Sequence, residues 1–408
     1  MINLNKYTHN YFLFLFSIIP LTIVAGSAIS FINILLIDLS FIILLVYKKN
    51  FYFLKNKTIL YFVILYIYLI FNSFISIDYS QSFLRNLGFI RIIILFVAFN
   101  YFYYQKFFFK KMFKSWILII LIVIFDIFVE YFYGKNILGY NASGYGQRIV
   151  SFFKDEPVVG SFLNGFFLIL IGFLLNKKKK YKYYILPLTI LFFISIIVTF
   201  ERSSSIKALI GLSIFILLYK EVNLKSKILS LFLIFLTIFI FVSNLSNFHK
   251  LKHRYSLQIL SQKNIYFDLY QSAFQVFKNH KIFGVGNKNY RVVTCNQDET
   301  VSVSPQNKDK YICNSHPHQI YFELLSEHGL IGTIIILLIF YKLIFSKIKS
   351  TFSEENYLKI GTLIYLTVSF LPLIPGGTFF GSFPITLFAI NLSIFYASDE
   401  NMNVFKMK

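Results

Sequence analysis

The chain has 408 residues, of which 57% are hydrophobic and 14% are charged, and its mean hydropathy is +0.65. This balance excludes an ordinary soluble globular protein and predicts a polytopic membrane protein. The formal net charge of +22 would favour a nucleic-acid partner in a soluble chain, but the lysines gather in alternate loops between apolar runs. That alternation is the positive-inside pattern, so we expect no nucleic-acid partner and predict that both termini are cytoplasmic.

Apolar runs of about 16 to 20 residues recur along the chain, and each is long enough to cross roughly 30 Å of hydrocarbon. We therefore predict an all-α membrane bundle of about twelve spans. The predicted spans are 11–25, 29–47, 58–76, 86–104, 115–133, 158–175, 183–199, 205–219, 228–243, 319–345, 357–374 and 382–397.

The spans divide the chain into three predicted regions. An N-terminal membrane region of about nine spans covers 1–243, a large periplasmic loop between spans 9 and 10 covers 244–318, and a C-terminal membrane region of about three spans covers 319–408. The loop holds both cysteines of the chain, Cys295 and Cys313. In an oxidising compartment such a pair predicts a disulfide, although spacing alone leaves two free thiols as the alternative.

Four charged side chains fall inside the predicted spans, where ionisable groups usually face a partner or a cavity. They are Arg91, Asp126, Glu130 and Lys207. Asp126 and Glu130 are one helical turn apart, so they share a face of their helix. We expect these two carboxylates to form ion pairs with Arg85 or Arg91, and a polar path through a transporter is the alternative.

Two predicted outer loops carry arginines. GYGQRIVSFFKDEPVVG, residues 144–160, contains Arg148, and TFERSSSIKALIG, residues 199–211, contains Arg202 followed by three serines. Guanidinium groups bind phosphate oxygens through paired donors, and helix N-termini favour anions, so these loops suit a diphosphate. A snorkelling anchor is the alternative role for Arg202. A further outer loop, PGGTFFG at 375–381, is predicted to be a simple turn.

The long loop is predicted to contain one amphipathic helix and one tight turn. Apolar residues recur at helical spacing in NIYFDLYQSAFQVFKNH, residues 264–280. GVGNKNYR, residues 284–291, follows, and its two glycines permit a tight turn that ends at Arg291.

The stretch CNSHPHQIYFELLSEHGLIG, residues 313–332, concentrates ionisable groups at the border of the tenth span. We predict that Pro317 lies in the first turn of a helix and that Gly329 bends this helix before the apolar run continues. Glu323 and Glu327 are one turn apart on it. A helix N-terminus lowers the pKa of His318, and a neutral imidazole that faces an outer cavity suits a general base.

Two other roles are open for the histidines of this stretch. His316 and His318 could bind zinc together with a glutamate, but His-x-His without a HExxH motif or a cysteine pair is a weak metal signature, so we expect no metal. Both histidines could also be structural residues that are only hydrogen-bonded at the membrane interface.

These motifs carry a family resemblance. HPHQIYFELLSEHGLIG resembles the signature of the O-antigen ligase and Wzy-type O-antigen polymerase superfamily, where a His-Asn pair precedes an aromatic, a carboxylate and Glu-x-Gly-Leu-Ile-Gly. FQVFKNHKIFGVGNKNYR is similar to the family's helix and Gly-x-Gly turn, and RIVSFFKDEPVVG and FERSSSIKALIG resemble its two arginine-bearing outer loops.

The chain departs from the family pattern at three positions. Gln319 stands where Asn is usual, and Lys281 stands where Pro is common. Tyr266 lies near the position of a family arginine, so Arg254 or Lys263 could supply that charge instead.

The resemblance implies a membrane enzyme similar to type C glycosyltransferases, inverting, independent of metal and without a cofactor. The implied donor is an undecaprenyl-diphosphate-linked glycan, and the implied acceptor is lipid A–core or another glycan. Ligase and Wzy-type repeat-unit polymerase share this architecture, and we favour a ligase-like activity in lipopolysaccharide or surface polysaccharide biosynthesis at the bacterial inner membrane. A lipid-linked glycan flippase or transporter is the alternative from another class, and it would depend on charges near the membrane midplane.

The resemblance also implies roles for individual residues. It makes His318 the general base that takes the proton of the acceptor hydroxyl. His316, Glu323 and Glu327 are expected to support this base. The residues implied to bind the diphosphate are Arg148, Arg202 and Arg291.

Overall fold

The structure is a computed structural model that describes residues 6–103, 108–141, 148–154, 156–244, 265–295 and 311–406. These residues form helices with short 3-10 turns and contain no strand. Numbered in chain order, the α-helices are α1 (Lys6–Ser17), α2 (Ile19–Ala25), α3 (Ser27–Lys48), α4 (Lys57–Phe74), α5 (Tyr79–Leu87), α6 (Ile90–Tyr103), α7 (Phe108–Tyr133), α8 (Val159–Asn176), α9 (Lys178–Val198), α10 (Arg202–Leu218), α11 (Leu224–Asn244), α12 (Ile265–Asn279), α13 (Tyr290–Thr294), α14 (Ile320–Leu343), α15 (Ile348–Phe352), α16 (Tyr357–Val368) and α17 (Ser382–Ala397).

A helix covers the greater part of each predicted apolar run, which supports a multi-pass helical membrane protein. Six helical segments of the described chain are long and apolar enough to cross a membrane, and α1 with α2, bent by 44°, would make a seventh. Several other apolar helices, among them α16 and α17, are shorter than a full span. The count of twelve spans, the three regions and the cytoplasmic termini therefore stay predictions.

Helix α8 lies at the centre of the bundle, with 89% of its residues buried. The backbones of α8 and α16 are in close contact at Gly172, which has no side chain. A Cβ added there would lie only 2.8 Å from the Leu358 Cα. Asn391 of α17 donates a hydrogen bond to the Gly165 carbonyl at 2.9 Å, which joins a third helix to the same core. These contacts hold α8, α16 and α17 together in the core.

Helix α3 lies at the periphery and has a different surface. Only 39% of its most apolar window is buried, and its outward side chains are large and apolar, including Ile32, Leu39 and Ile43. An apolar surface of this length is what a span presents to lipid chains.

The predicted ion pairs of Asp126 and Glu130 with Arg85 or Arg91 are wrong. Both carboxylates bind the segment that follows Arg148 instead: Glu130 accepts from the Ser151 N–H at 2.5 Å, and Asp126 accepts from the Ser151 hydroxyl at 2.6 Å. A buried carboxylate can be satisfied by backbone and hydroxyl donors as well as by a cation. Their role is to hold the Arg148 loop against α7.

Candidate active site

His316 and His318 form a close pair on the predicted outer side, with ring centroids 4.0 Å apart and ring planes tilted by 50°. The Gly376 carbonyl accepts a hydrogen bond from each, from Nε2 of His316 and from Nδ1 of His318, both at 3.3 Å. A carbonyl oxygen only accepts, so each of these nitrogens carries the proton. His318 Nε2 is therefore the unprotonated nitrogen of a neutral ring and presents its lone pair.

The surroundings keep both imidazoles neutral. Burial, with smaller contributions from His318 and the Arg85 guanidinium, lowers the pKa of His316 to about 4, against the opposing Gly376 carbonyl. Burial also lowers the pKa of His318, with a smaller contribution from the Arg148 guanidinium and an opposing one from the same carbonyl. At neutral pH both rings are bases without a charge.

The prediction that Pro317 lies in the first turn of the helix is wrong. Helix α14 begins at Ile320, and its N-cap is Gln319, whose side-chain oxygen accepts from the Tyr321 and Phe322 N–H groups at 2.8 and 3.1 Å. His318 precedes the cap in a left-handed conformation with φ of 59°. Pro317 and His318 thus belong to the turn before the helix, and burial is the largest cause of the lowered pKa of His318.

The turn at 375–381, predicted to be simple, contacts the histidines directly. Glu323 binds it: its carboxylate accepts from the Thr378 hydroxyl at 2.5 Å and from the Phe379 N–H at 3.0 Å. Gly376, in the same turn, provides the carbonyl for both histidines, and its N–H donates to the His318 carbonyl at 2.7 Å. Glu323 thereby positions the histidine pair through the turn.

Glu327 lies against the second glycine turn, at 284–291. Its carboxylate accepts from the Tyr290 N–H at 3.2 Å, and its main-chain carbonyl accepts from the Gly286 N–H at 2.9 Å. Gly329 has φ of 63° and bends α14 there, as predicted. A Cβ at Gly329 would lie 2.5 Å from the Gly284 nitrogen, so two glycines bring the backbones into contact.

The arginines proposed for the diphosphate occupy three different elements. Arg148 lies close enough to His318 to lower its pKa. Arg202 is the first residue of α10, and the preceding Glu201 accepts from the Gly160 and Ser161 N–H groups at 2.5 and 2.9 Å. Glu201 thus joins the N-termini of α8 and α10. Arg291 is exposed on α13. The residue before it, Tyr290, donates its N–H to the Glu327 carboxylate of α14.

The serines after Arg202 have a structural role that the sequence analysis did not expect. The Ser204 hydroxyl donates to the Glu201 carboxylate at 2.9 Å, and the Ser205 hydroxyl donates to the Glu201 carbonyl at 3.0 Å. Burial raises the pKa of Glu201, and the donors around it oppose that rise. These hydroxyls bond the N-cap residue of α10 and so stabilise the first turn of the helix, which carries Arg202.

Two further cations lie at the site and were not proposed as site residues. Arg85, on the short helix α5, contributes to the lowered pKa of His316. The Lys207 ammonium lies 3.8 Å from the position that a Cβ on Gly376 would take. The sequence did contain a signal for Arg85. Asp78, which accepts from the Gln81 N–H, caps α5, and this helix is amphipathic, so a short helix that carries Arg85 could have been predicted.

A disulfide bond and the Tyr266 ring also lie near the two histidines. Cys295 and Cys313 are joined by a disulfide bond, which ties the end of α13 to the segment that enters the histidine turn. The Tyr266 ring meets the His318 ring edge-on, with centroids 5.9 Å apart, at the position near which the family carries an arginine. Arg254 and Lys263, the predicted replacements, lie outside the described residues.

The zinc alternative for His316 and His318 finds no support in the side-chain arrangement. Across the described parts of the chain, no group of three or more His, Cys, Asp or Glu side chains could hold a metal ion. The carboxylate next in sequence, Glu323, is bound to the 375–381 turn.

Comparison with known proteins concerns a central segment of the molecule. Residues 187–337 match the family model described as O-antigen ligase. This segment includes Arg202, the 284–291 turn, both histidines and the bend at Gly329, whereas Arg148 and the 375–381 turn lie outside it. No curated protein matches the chain. The family implies a glycosyltransferase-like ligase or polymerase that acts on lipid-linked glycans in polysaccharide biosynthesis. The match confirms the resemblance of the three motifs that it covers, FERSSSIKALIG, FQVFKNHKIFGVGNKNYR and HPHQIYFELLSEHGLIG, and supports the O-antigen ligase and Wzy-type polymerase superfamily for this segment.

Proposed function

We propose that the chain transfers a glycan from an undecaprenyl-diphosphate-linked donor to an acceptor hydroxyl at the periplasmic face of the bacterial inner membrane. His318 is the general base. The observation that carries this proposal is the hydrogen bond of His318 Nδ1 to the Gly376 carbonyl, because it leaves Nε2 free to accept a proton.

The reaction is a single displacement. His318 Nε2 takes the proton of the acceptor hydroxyl as the hydroxyl oxygen attacks the anomeric carbon. The bond from that carbon to the diphosphate oxygen breaks, and its electron pair leaves with undecaprenyl diphosphate. Attack opposite the leaving group inverts the anomeric configuration.

Arg148 and Arg202 are proposed to hold the diphosphate, with Arg291 as a third contact. Guanidinium groups donate paired hydrogen bonds to phosphate oxygens and stabilise the charge that develops on the leaving group. The Arg148 guanidinium also disfavours the imidazolium form of His318, so the base returns its proton readily after transfer. Because these cations supply the positive charge at the leaving group, we propose that the reaction needs no metal.

The acceptor is proposed to be lipid A–core or another glycan, as in a ligase. Purified protein would be incubated with an undecaprenyl-diphosphate-linked glycan and EDTA, with lipid A–core or a second lipid-linked repeat as acceptor. We expect transfer to lipid A–core, no transfer by His318→Ala, and full transfer by the exposed-surface control Lys278→Gln.

Each other outcome overturns a named part of the proposal. Transfer to the lipid-linked repeat alone would assign a polymerase, and transfer that requires added metal would remove metal independence. Absence of transfer to both acceptors, with translocation of the lipid-linked glycan across vesicles, would assign a flippase. Complementation of ligase-null and polymerase-null strains makes the same distinction in cells.

A further inference from the structure

A cavity with both apolar and charged residues in its wall lies beside the N-terminal ends of α3, α8 and α17, and the proposed reaction does not use it. Its volume is about 240 Å³, roughly eight times the ~30 Å³ that one water occupies in the liquid. Arg91, Lys154, Ser27 and Ser382 are among the residues that line it. None of the residues proposed above for base or diphosphate binding lines it.

The Arg91 guanidinium lines this cavity and is only partly hydrogen-bonded. One terminal nitrogen donates to the Ser382 hydroxyl at 3.2 Å, and the guanidinium carbon lies 4.8 Å from the centre of the Phe31 ring. Its Nε is buried and has no hydrogen-bond partner. A guanidinium offers five N–H donors, and leaving one buried without an acceptor costs free energy.

The acidic groups nearby do not fill this role. Asp38 lies near Arg91, but both of its carboxylate oxygens are buried without a hydrogen-bond partner. Glu156, on the cavity wall, is exposed and lies two residues from the exposed Lys154. Arg91 thus keeps unused donors even though carboxylates are close.

Two helix N-termini add to the positive potential of the cavity. Helix α3 begins after Gly26 and α17 begins after Gly381, and neither cap residue supplies a side-chain hydrogen bond. Ser27 and Ser382, the first residues of these helices, line the cavity. The partial positive charge of a helix N-terminus favours an anion, and here it supports the site that Arg91 and Lys154 form.

The lipid-facing surface of α3 continues from the cavity. Phe31 is at the cavity wall, and Ile32 and Leu39 are more than half exposed on the same helix. A cavity of this volume is below the usual range for a whole drug-sized ligand, so it suits a headgroup while the attached chains stay on α3. We propose that the cavity binds the phosphate headgroup of a lipid, with Arg91 as its main contact and Lys154 as its second.

A binding measurement that needs no transferase activity tests this proposal. Protein purified in detergent would be titrated with phosphatidic acid and, in parallel, with diacylglycerol of the same chains and with inorganic phosphate. Binding would be followed by native mass spectrometry. We expect phosphatidic acid to bind, and diacylglycerol and inorganic phosphate to bind much more weakly.

Variants locate the site. Arg91→Gln should weaken phosphatidic acid binding about tenfold or more, since hydrogen bonds to charged groups contribute about 1.5–3 kcal/mol. Lys154→Gln should weaken it less, and Lys278→Gln, which removes an exposed lysine on α12, should not change it. If Arg91→Gln unfolds the protein, two other variants test the site. Lys154→Gln removes the second cation, and Ser27→Trp fills the cavity from an exposed position, so both should weaken phosphatidic acid binding.

The opposite results overturn the proposal. Phosphatidic acid binding that is unchanged in Arg91→Gln, or in both Lys154→Gln and Ser27→Trp, would place the lipid elsewhere. Equal binding of diacylglycerol would show that only the chains are recognised. Equal binding of inorganic phosphate would show a simple anion site without a lipid.

Discussion

Two glutamates on α14, one helical turn apart, each contact a glycine-rich turn, and they do so by different means. Glu323 uses its side chain, whose oxygens accept from the Thr378 hydroxyl and the Phe379 N–H. Glu327 contacts its turn through both its side chain and its backbone: Oε1 accepts from the Tyr290 N–H and the main-chain carbonyl accepts from the Gly286 N–H, while Oε2 is buried without a hydrogen-bond partner. The turn that contacts the histidines is therefore bound by a carboxylate with several donors, whereas the other turn is bound by one carboxylate oxygen and a backbone contact.

The largest expected effect comes from the base that the Glu323 turn positions. His318→Ala should lower transfer about 10²- to 10⁴-fold, the usual contribution of a general base, because no other group replaces Nε2. Transfer to the acceptor would be measured with purified protein in EDTA.

His280→Ala is the matched control, since His280 lies at the end of α12, outside the 316–318 turn. Its transfer rate should equal that of the wild type. A His318→Ala enzyme with the wild-type rate and the same thermal unfolding midpoint would remove His318 from the mechanism.

The second comparison is between the glycines of the two turns. Gly284→Ala should destabilise the protein by about 2–5 kcal/mol, because φ there is +70° and the added Cβ would lie 2.5 Å from the His328 nitrogen. Gly376→Ala should change stability by less than about 1 kcal/mol, since its Cβ would meet only the Lys207 ammonium, at 3.8 Å. Thermal unfolding of the two variants in one detergent checks this difference, and equal losses would contradict it.

The features that the sequence predicted correctly are local ones. The apolar runs predict the helices of the bundle because length and hydrophobicity are local properties, and the spacing of Leu269, Ala273 and Val276 predicts α12 for the same reason. The bend at Gly329 follows from one residue type. None of these features needs a distant partner.

Two of the features that failed depend on distant partners, and the third is an unusual local cap. Glu323 and Thr378 are 55 residues apart, and Asp126 binds Ser151 across 25 residues, so no local pattern marks either contact. Capping by Gln319 displaces Pro317 from the helix, and side-chain capping by glutamine is less typical than capping by asparagine. Long-range hydrogen bonds therefore decided where the histidines lie.

Amide substitutions separate the two glutamates. Glu323→Gln should lower kcat about tenfold, since an amide NH₂ group would face the Phe379 N–H and one charge-assisted hydrogen bond contributes on the order of 1.5 kcal/mol. Glu327→Gln should change kcat by less than about twofold, because Oε1 alone bonds the Tyr290 N–H. The KM for donor should stay constant in both variants. A larger loss for Glu327→Gln would reverse the assignment of the positioning residue.

The smallest expected effect is a change in pH dependence at the histidine turn. The neutral form of His318 is the active one, and its pKa lies below the ordinary 6.5, so kcat/KM should be flat at neutral pH and fall on the acidic side below that value. Arg148→Gln removes a charge that lowers this pKa, so the acidic limb should move up toward 6.5 in addition to any loss of rate. Lys278→Gln should leave the limb in place. A profile of kcat/KM against pH for the three proteins measures the shift, and a limb that stays in place in Arg148→Gln would show that Arg148 does not act on the base.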